Sequence, residues 1–263
     1  MPKTGGSTLG RIVKREYSED NIFCIPNVIK KKYGKSWKKV SNKERWKFAL
    51  HEFESLGSKV HQNLDIVFGH MWYGWHKYTD RTCRYITFLR NPLARFVSHY
   101  NYLFDQRGNP DSEKIRSSHQ NFKGFVKSNI ANRISNFQTK LLSGNESPTA
   151  LSVESALQNI EENFLHVGLT ESFDSDLLYI ADVLGWNIPI YRRVNVSKKH
   201  VSLGSLSGEE MFGVAKKNVL DTSLYESIRN RKDSKSSRSG TACFRLANQA
   251  WQSAANTAKT LLR

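Results

Sequence analysis

The chain has 263 residues, 38% of them hydrophobic and 11% aromatic, which suits one large α/β domain with a substantial core and excludes a disordered chain. No run approaches the roughly 18 apolar residues of a membrane span. The N-terminus carries no apolar signal segment, and Cys24, Cys83 and Cys243 form neither a disulfide framework nor a metal-ligand spacing, so a cytoplasmic protein is expected. The net charge of +16 suits an anionic partner or a phosphorylated ligand, or else a solvated basic surface.

The first eight residues read as a loop opening a helix, with Leu9, Ile12 and Val13 as its apolar stripe. Residues 18–40 read as irregular, with Pro26 and Gly34 as breakers. Between Lys30 and Lys47 lie nine Lys/Arg residues and one acid, Glu44, with Tyr33, Trp37 and Trp46 interleaved. That composition fits a nucleic-acid binder or a protein that holds acidic sugars. Asn42 to Leu56 has helical periodicity, with Ser41 as N-cap, Glu44 at the capping-box position and Gly57 as the stop.

Leu64 to Phe68 reads as a buried strand delivering Gly69 and His70. Cys83 to Leu89 is the strongest strand pattern in the chain. It stops at Arg90-Asn91-Pro92, and Pro92 is placed to begin a helix running through Phe104. Arg107 to Gln120 is polar and reads as a loop. Helices are expected at about 121–130, 134–143, 152–163, 172–184, 209–218 and 221–229, with a strand at Phe164–Gly168 and a loop over 190–208. Arg229 to Ser239 reads as a basic linker, and the last twenty residues as an amphipathic helix. Alternating strands and helices imply an α/β fold with a mainly parallel sheet.

Two segments carry anion-binding chemistry. In Lys3-Thr4-Gly5-Gly6-Ser7-Thr8 paired glycines let the backbone approach an anion and expose successive N–H groups. The helix that follows points its positive end at the same place. Lys3 adds a charge, and the hydroxyls of Thr4, Ser7 and Thr8 can donate. The lysine precedes the glycines, unlike the nucleotide-triphosphatase pattern in which it follows them. In the second segment a strand end feeds Arg90 into a turn, and Ser98 sits two turns along the next helix. Arg90 can clamp a phosphate with two parallel bonds. Two such sites at two strand ends suit a nucleotide with phosphates on its 5′ and 3′ positions. His70 is either a base near neutral pH or a core histidine. Trp72, Tyr73 and Trp75 beside it either stack on a sugar or pack the core, and His76 lines an acceptor site or the surface.

With these motifs in place, the chain resembles sulfotransferases that use 3′-phosphoadenosine 5′-phosphosulfate. Residues 3–8 resemble their 5′-phosphosulfate loop, and Arg90-Asn91-Pro92 with Ser98 and Tyr100 resembles their 3′-phosphate motif. Phe68-Gly69-His70 through Tyr78, Asn136 through Gly144, Val167 through Glu171 and Val194 through Lys198 resemble the bacterial-type family 2 branch related to heparan sulfate 2-O-sulfotransferase. The resemblance implies a P-loop-like parallel sheet flanked by helices, within a sulfotransferase domain over 1–228 followed by a basic tail over 229–263. The strand that normally leads into such a phosphate loop is missing before Pro2. It implies that Lys3 supports the leaving phosphate and that Lys3 to Thr8, Arg90 and Ser98 bind the nucleotide, with Asn195, Ser197 and Lys198 closing near it. His70 takes the catalytic position, and Trp72, Tyr73 and His76 face the acceptor. The acceptor is a carbohydrate, acidic if the basic surplus serves it. The product nucleotide is adenosine 3′,5′-bisphosphate, and neither a metal nor a nucleic-acid partner is expected. Two other classes fit the residues less well: a nucleotide kinase or NTPase, and a truncated, non-catalytic polyanion binder.

Overall fold

The computed structural model describes residues 1–106, 108–117, 121–192 and 200–233. The chain opens on a turn that leads into α1 (Gly6–Glu16). Then come β1 (Ile22–Cys24), α2 (Ile25–Tyr33), a 3-10 segment (Gly34–Lys39), α3 (Asn42–Glu54), α4 (Ser58–Asn63) and β2 (Ile66–Phe68). A 3-10 turn at Trp75–Tyr78 precedes β3 (Tyr85–Leu89), α5 (Pro92–Asp105), α6 (Pro110–Ser117), α7 (Phe122–Lys127), α8 (Asn129–Ile134) and α9 (Phe137–Ser143). The remainder is α10 (Leu151–Asn163), β4 (Phe164–Leu169), α11 (Phe173–Leu184), α12 (Gly208–Lys217) and α13 (Val219–Asp233).

The α/β class and the parallel pairing agree with the sequence, but the single sheet does not. The described strands form two separate two-stranded parallel sheets, β1 with β2 and β3 with β4. Strands of three to six residues offer few ladder bonds, so helices do most of the burying. One apolar cluster gathers α5 through α8 with α12. A second joins β3 and β4 to α9, α10 and α13, and a third packs β1 against α2, α3 and Trp75.

Four local expectations need correction. Residues 18–40 are not irregular: Pro26 lies in the first turn of α2, where its missing N–H is no loss. The polar stretch 107–120 holds α6, which begins at Pro110 for the same reason and buries Ile115. Gly57 does not stop α3. That helix ends at Glu54 with Ser55 as its cap, and Gly57, at an ordinary φ of −62°, starts α4. The capping box is present as expected, with the Ser41 hydroxyl accepting from the Glu44 N–H and Glu44 accepting from the Ser41 N–H. Beyond residue 228 the chain is still helical through Asp233, so the first five residues of the expected linker belong to α13.

The C-terminal end of β3 is held by residues far away in sequence. The Gln138 side chain accepts from the Arg90 N–H (2.9 Å) and donates to the Arg90 carbonyl (3.0 Å). Glu171 accepts from the Asn91 N–H at 2.9 Å, and the Thr170 hydroxyl donates to the Leu89 carbonyl. Helices α9 and α13 cap one another. Asp221 of α13 accepts from the N–H groups of Gln138 and Thr139, while Asn136 accepts from those of Leu220 and Asp221. Asp221 is fully buried and also faces the Arg95 guanidinium at 3.6 Å. Asp221→Ala would strand that guanidinium without its counter-charge. Urea denaturation of the variant should show a loss of about 3–5 kcal/mol, and a loss below about 1 kcal/mol would refute this role.

Candidate functional site

The opening loop is held by its neighbours. Gly5 has φ +81° and caps α1, and a Cβ there would lie 2.8 Å from the Phe173 ring. Only glycine suits both demands. Lys3 sits at φ +65°, a left-handed conformation that costs a non-glycine residue roughly 1–2 kcal/mol. Further along, α1 lies so close to β2 that a Cβ on Gly10 would meet the Phe68 ring at 2.6 Å. The first turn of α1 contains no acid, and Lys14 and Arg15 occupy its last turn. The first feature leaves the positive end of the helix open to a negative ligand, and the second stabilises the helix at its other end.

The structure brings Arg90 to this loop. Its Nη1 donates to the Lys3 carbonyl at 3.2 Å, so the two anion-binding segments read from the sequence meet. His70 follows β2 and reaches the same place, its Cε1 3.8 Å from where a Cβ on Gly6 would stand. Above Lys3, the Nζ lies 4.3 Å from the centre of the Tyr102 ring on α5. Ser98 lies on α5 and is half-buried.

Other expected residues fall elsewhere. The Thr4 side chain is buried and its hydroxyl donates to the Met1 carbonyl at 3.0 Å, so it closes the loop and does not face outward. Thr8 is buried as well, and its N–H bonds to the Gly5 carbonyl. Ser7 is exposed at the start of α1. Tyr73 packs against Tyr85 and Phe164, the first residues of β3 and β4, and His76 Nδ1 lies 2.8 Å from the Tyr85 hydroxyl. They occupy the N-terminal end of that sheet, whereas Arg90 follows its C-terminal end. Five residues of strand separate the two ends, roughly 17 Å. Trp72 stays on the other side, its ring 5.4 Å edge-on from Trp46 of α3. Asn195, Ser197 and Lys198 lie outside the described residues.

Sequence reasoning missed two members of the site, His99 and Arg45. His99 sits on α5 one turn beyond Arg95 and one short of Tyr102, with ring centres 6.2 Å apart from the latter. Its Nδ1 is buried with no hydrogen-bond partner among the described residues, as are Nε of Arg45 and Nε and Nη1 of Arg95. The i, i+4, i+7 spacing of Arg95, His99 and Tyr102 was the available signal. Buried polar atoms of this kind are costly to leave unmet, and the guanidinium N–H groups among them suit an anion.

The charges agree. Burial, then the Arg90 guanidinium, lowers the Lys3 pKa to about 8, with Asp105 pulling the other way. Burial, then Arg95, Lys3 and His70, lowers His99 to about 3. His70 keeps solvent access on one side, yet the packing around its ring, then nearby positive charge including Arg45, holds its pKa below the usual histidine value. Both imidazoles are therefore neutral at pH 7, and the surrounding charge is positive.

Among the described residues no helix is long and apolar enough to cross a membrane. No curated protein matches the chain. A family model, galactose-3-O-sulfotransferase, matches residues 2–261. That match covers both anion-binding segments and His70, and it lends no support to the narrower kinship with heparan sulfate 2-O-sulfotransferase. With nearly its whole length covered, the chain belongs to the galactose-3-O-sulfotransferase family and is a sulfotransferase.

Proposed function

We propose that this protein transfers a sulfuryl group from 3′-phosphoadenosine 5′-phosphosulfate to a hydroxyl of a galactose-bearing glycan, with His70 as general base. The observation that carries this reading is the meeting of Lys3 and Arg90 beside a neutral histidine. The family description favours the 3-hydroxyl of galactose.

The donor supplies a sulfuryl group on a phosphate leaving group, and the residues present fit such an anion. Arg90 and the unmet Nε and Nη1 of Arg95 offer donors to phosphate or sulfuryl oxygens, and the unmet Nδ1 of His99 adds one in the tautomer that carries its proton there. Lys3 and the N-terminal end of α1 face the charge that grows on the leaving phosphate, a stabilisation made where water is partly excluded. His70 takes the proton of the acceptor hydroxyl as the new S–O bond forms. A neutral imidazole is the form that can do so.

The Lys3 pKa gives a signed test. Unliganded Lys3 titrates at about 8, and a bound dianion raises that value. Between the two values binding takes up a proton. The affinity for adenosine 3′,5′-bisphosphate should therefore be insensitive to Lys3 below about pH 8 and fall up to tenfold per pH unit above it. Calorimetry across that range, in buffers of different ionisation enthalpy, reads both the affinity and the proton uptake. The bisphosphate should bind without added metal and ATP poorly. Tight ATP binding that depends on Mg²⁺ would favour a kinase or NTPase instead.

A further inference from the structure

We propose that Arg45 and Trp46 of α3 form the subsite that receives the acceptor, and that the acceptor is an anionic galactoside already bearing a sulfate or carboxylate. The inference rests on the sulfotransferase reading above and narrows its substrate.

The donor accounts for Lys3 and Arg90, and Arg95 has its own counter-charge in Asp221. Arg45 has none among the described residues. Its polar partner is the Asn42 amide oxygen of its own helix, its Nε is buried without a partner, and its guanidinium lies 5.3 Å from the centre of the Trp37 ring. A half-buried guanidinium held by an aromatic ring and one neutral amide is prepared to accept an anion.

Its position fits an acceptor. Trp46, the next residue, meets Trp72 at 5.4 Å, and Trp72 lies two residues beyond His70. On its other side Trp46 lies 6.4 Å from Phe137, whose ring is 6.0 Å from the Arg95 guanidinium. Helix α3 thus reaches the anion-binding residues through a line of aromatic rings, surfaces on which the apolar face of a sugar can rest. The charge of Arg45 is felt at both His70 and Tyr102.

The surroundings select for negative charge. Lys30, Lys31, Lys32, Lys35, Lys39 and Lys47 are exposed on the same lobe. The only acid between residues 30 and 47, Glu44, is engaged in the capping box. Such a run of positive charge raises the local concentration of an anionic substrate.

The test compares three acceptors: lactose, lactose sulfated on its primary galactose hydroxyl, and lactose carrying a sialic acid there. Wild-type protein should favour one or both anionic acceptors by roughly tenfold or more in kcat/KM. Arg45→Gln should erase most of that preference, and Arg45→Lys should keep part of it. Thermal melting establishes that each variant is folded, and wild-type selectivity is informative on its own if one is not. Equal use of all three acceptors by wild type, or an equal loss on all three in folded Arg45→Gln, overturns the subsite while leaving the sulfotransferase intact. Sulfation of none of them despite tight bisphosphate binding overturns the galactoside reading, and this inference with it.

Discussion

His70→Ala should lower the rate of sulfuryl transfer by roughly 10²–10⁴-fold, the usual contribution of a positioned general base, while affinity for adenosine 3′,5′-bisphosphate changes little. A sugar hydroxyl holds its proton tightly at pH 7, so attack on sulfur needs a base at the oxygen. His70 is exposed enough to meet an acceptor and is held neutral by its surroundings. Because its pKa is depressed, acidification should not silence it until well below the usual histidine range. Single-turnover rates with bound donor read the step directly. His99→Ala is the informative companion, since His99 is the other neutral imidazole here and faces Arg95 and Lys3. If His99→Ala stops transfer while His70→Ala does not, the base has been misassigned.

The second large effect is expected in donor binding. Arg90→Ala should weaken adenosine 3′,5′-bisphosphate by roughly 10–100-fold, the worth of one charge-assisted contact in a partly buried site. Part of the loss is positional, because Arg90 also donates to the Lys3 carbonyl and so ties the loop to β3. Arg90→Lys keeps the charge and loses the fork, and should recover only a fraction of the affinity. Gln138→Ala touches no ligand. It unpins the Arg90 backbone at both its N–H and its carbonyl and should weaken binding less than Arg90→Ala does. Calorimetry on the three variants gives the order. Unchanged affinity in Arg90→Ala would remove the 3′-phosphate assignment.

Some local signals in the sequence held and others misled, whereas long-range pairings were not readable at all. The Ser41/Glu44 capping box and the Asn91-Pro92 start of α5 both lie within a few residues of the structure they dictate. Pro26 and Pro110 misled because proline breaks a helix interior yet suits a helix start, and the apolar pattern around 110–117 is too sparse to show which applies. The split into two sheets depends on strand partners that no local pattern names. At the site, the anion loop and Arg90 were legible as separate motifs, but their contact joins residues 87 apart. Tyr73 and His76 were drawn to the site by closeness to His70 in sequence, although the chain after Trp72 runs away to the far end of β3. Arg45 was hidden in a run of lysines whose net charge was visible and whose one half-buried guanidinium was not. The motifs at Asn136–Gly144 and Val167–Glu171 hold the Arg90 turn in place, through Gln138, Thr170 and Glu171. Their role is thus positional, one step behind the ligand.

The most direct measurement is transfer of labelled sulfate from 3′-phosphoadenosine 5′-phosphosulfate to galactosides, in the presence of a metal chelator. Label should appear on the glycan, adenosine 3′,5′-bisphosphate should be released in equal amount, and both should be lost in His70→Ala. Tight binding of the donor with no label on any galactoside, or label transfer undiminished in His70→Ala, would contradict the proposed function.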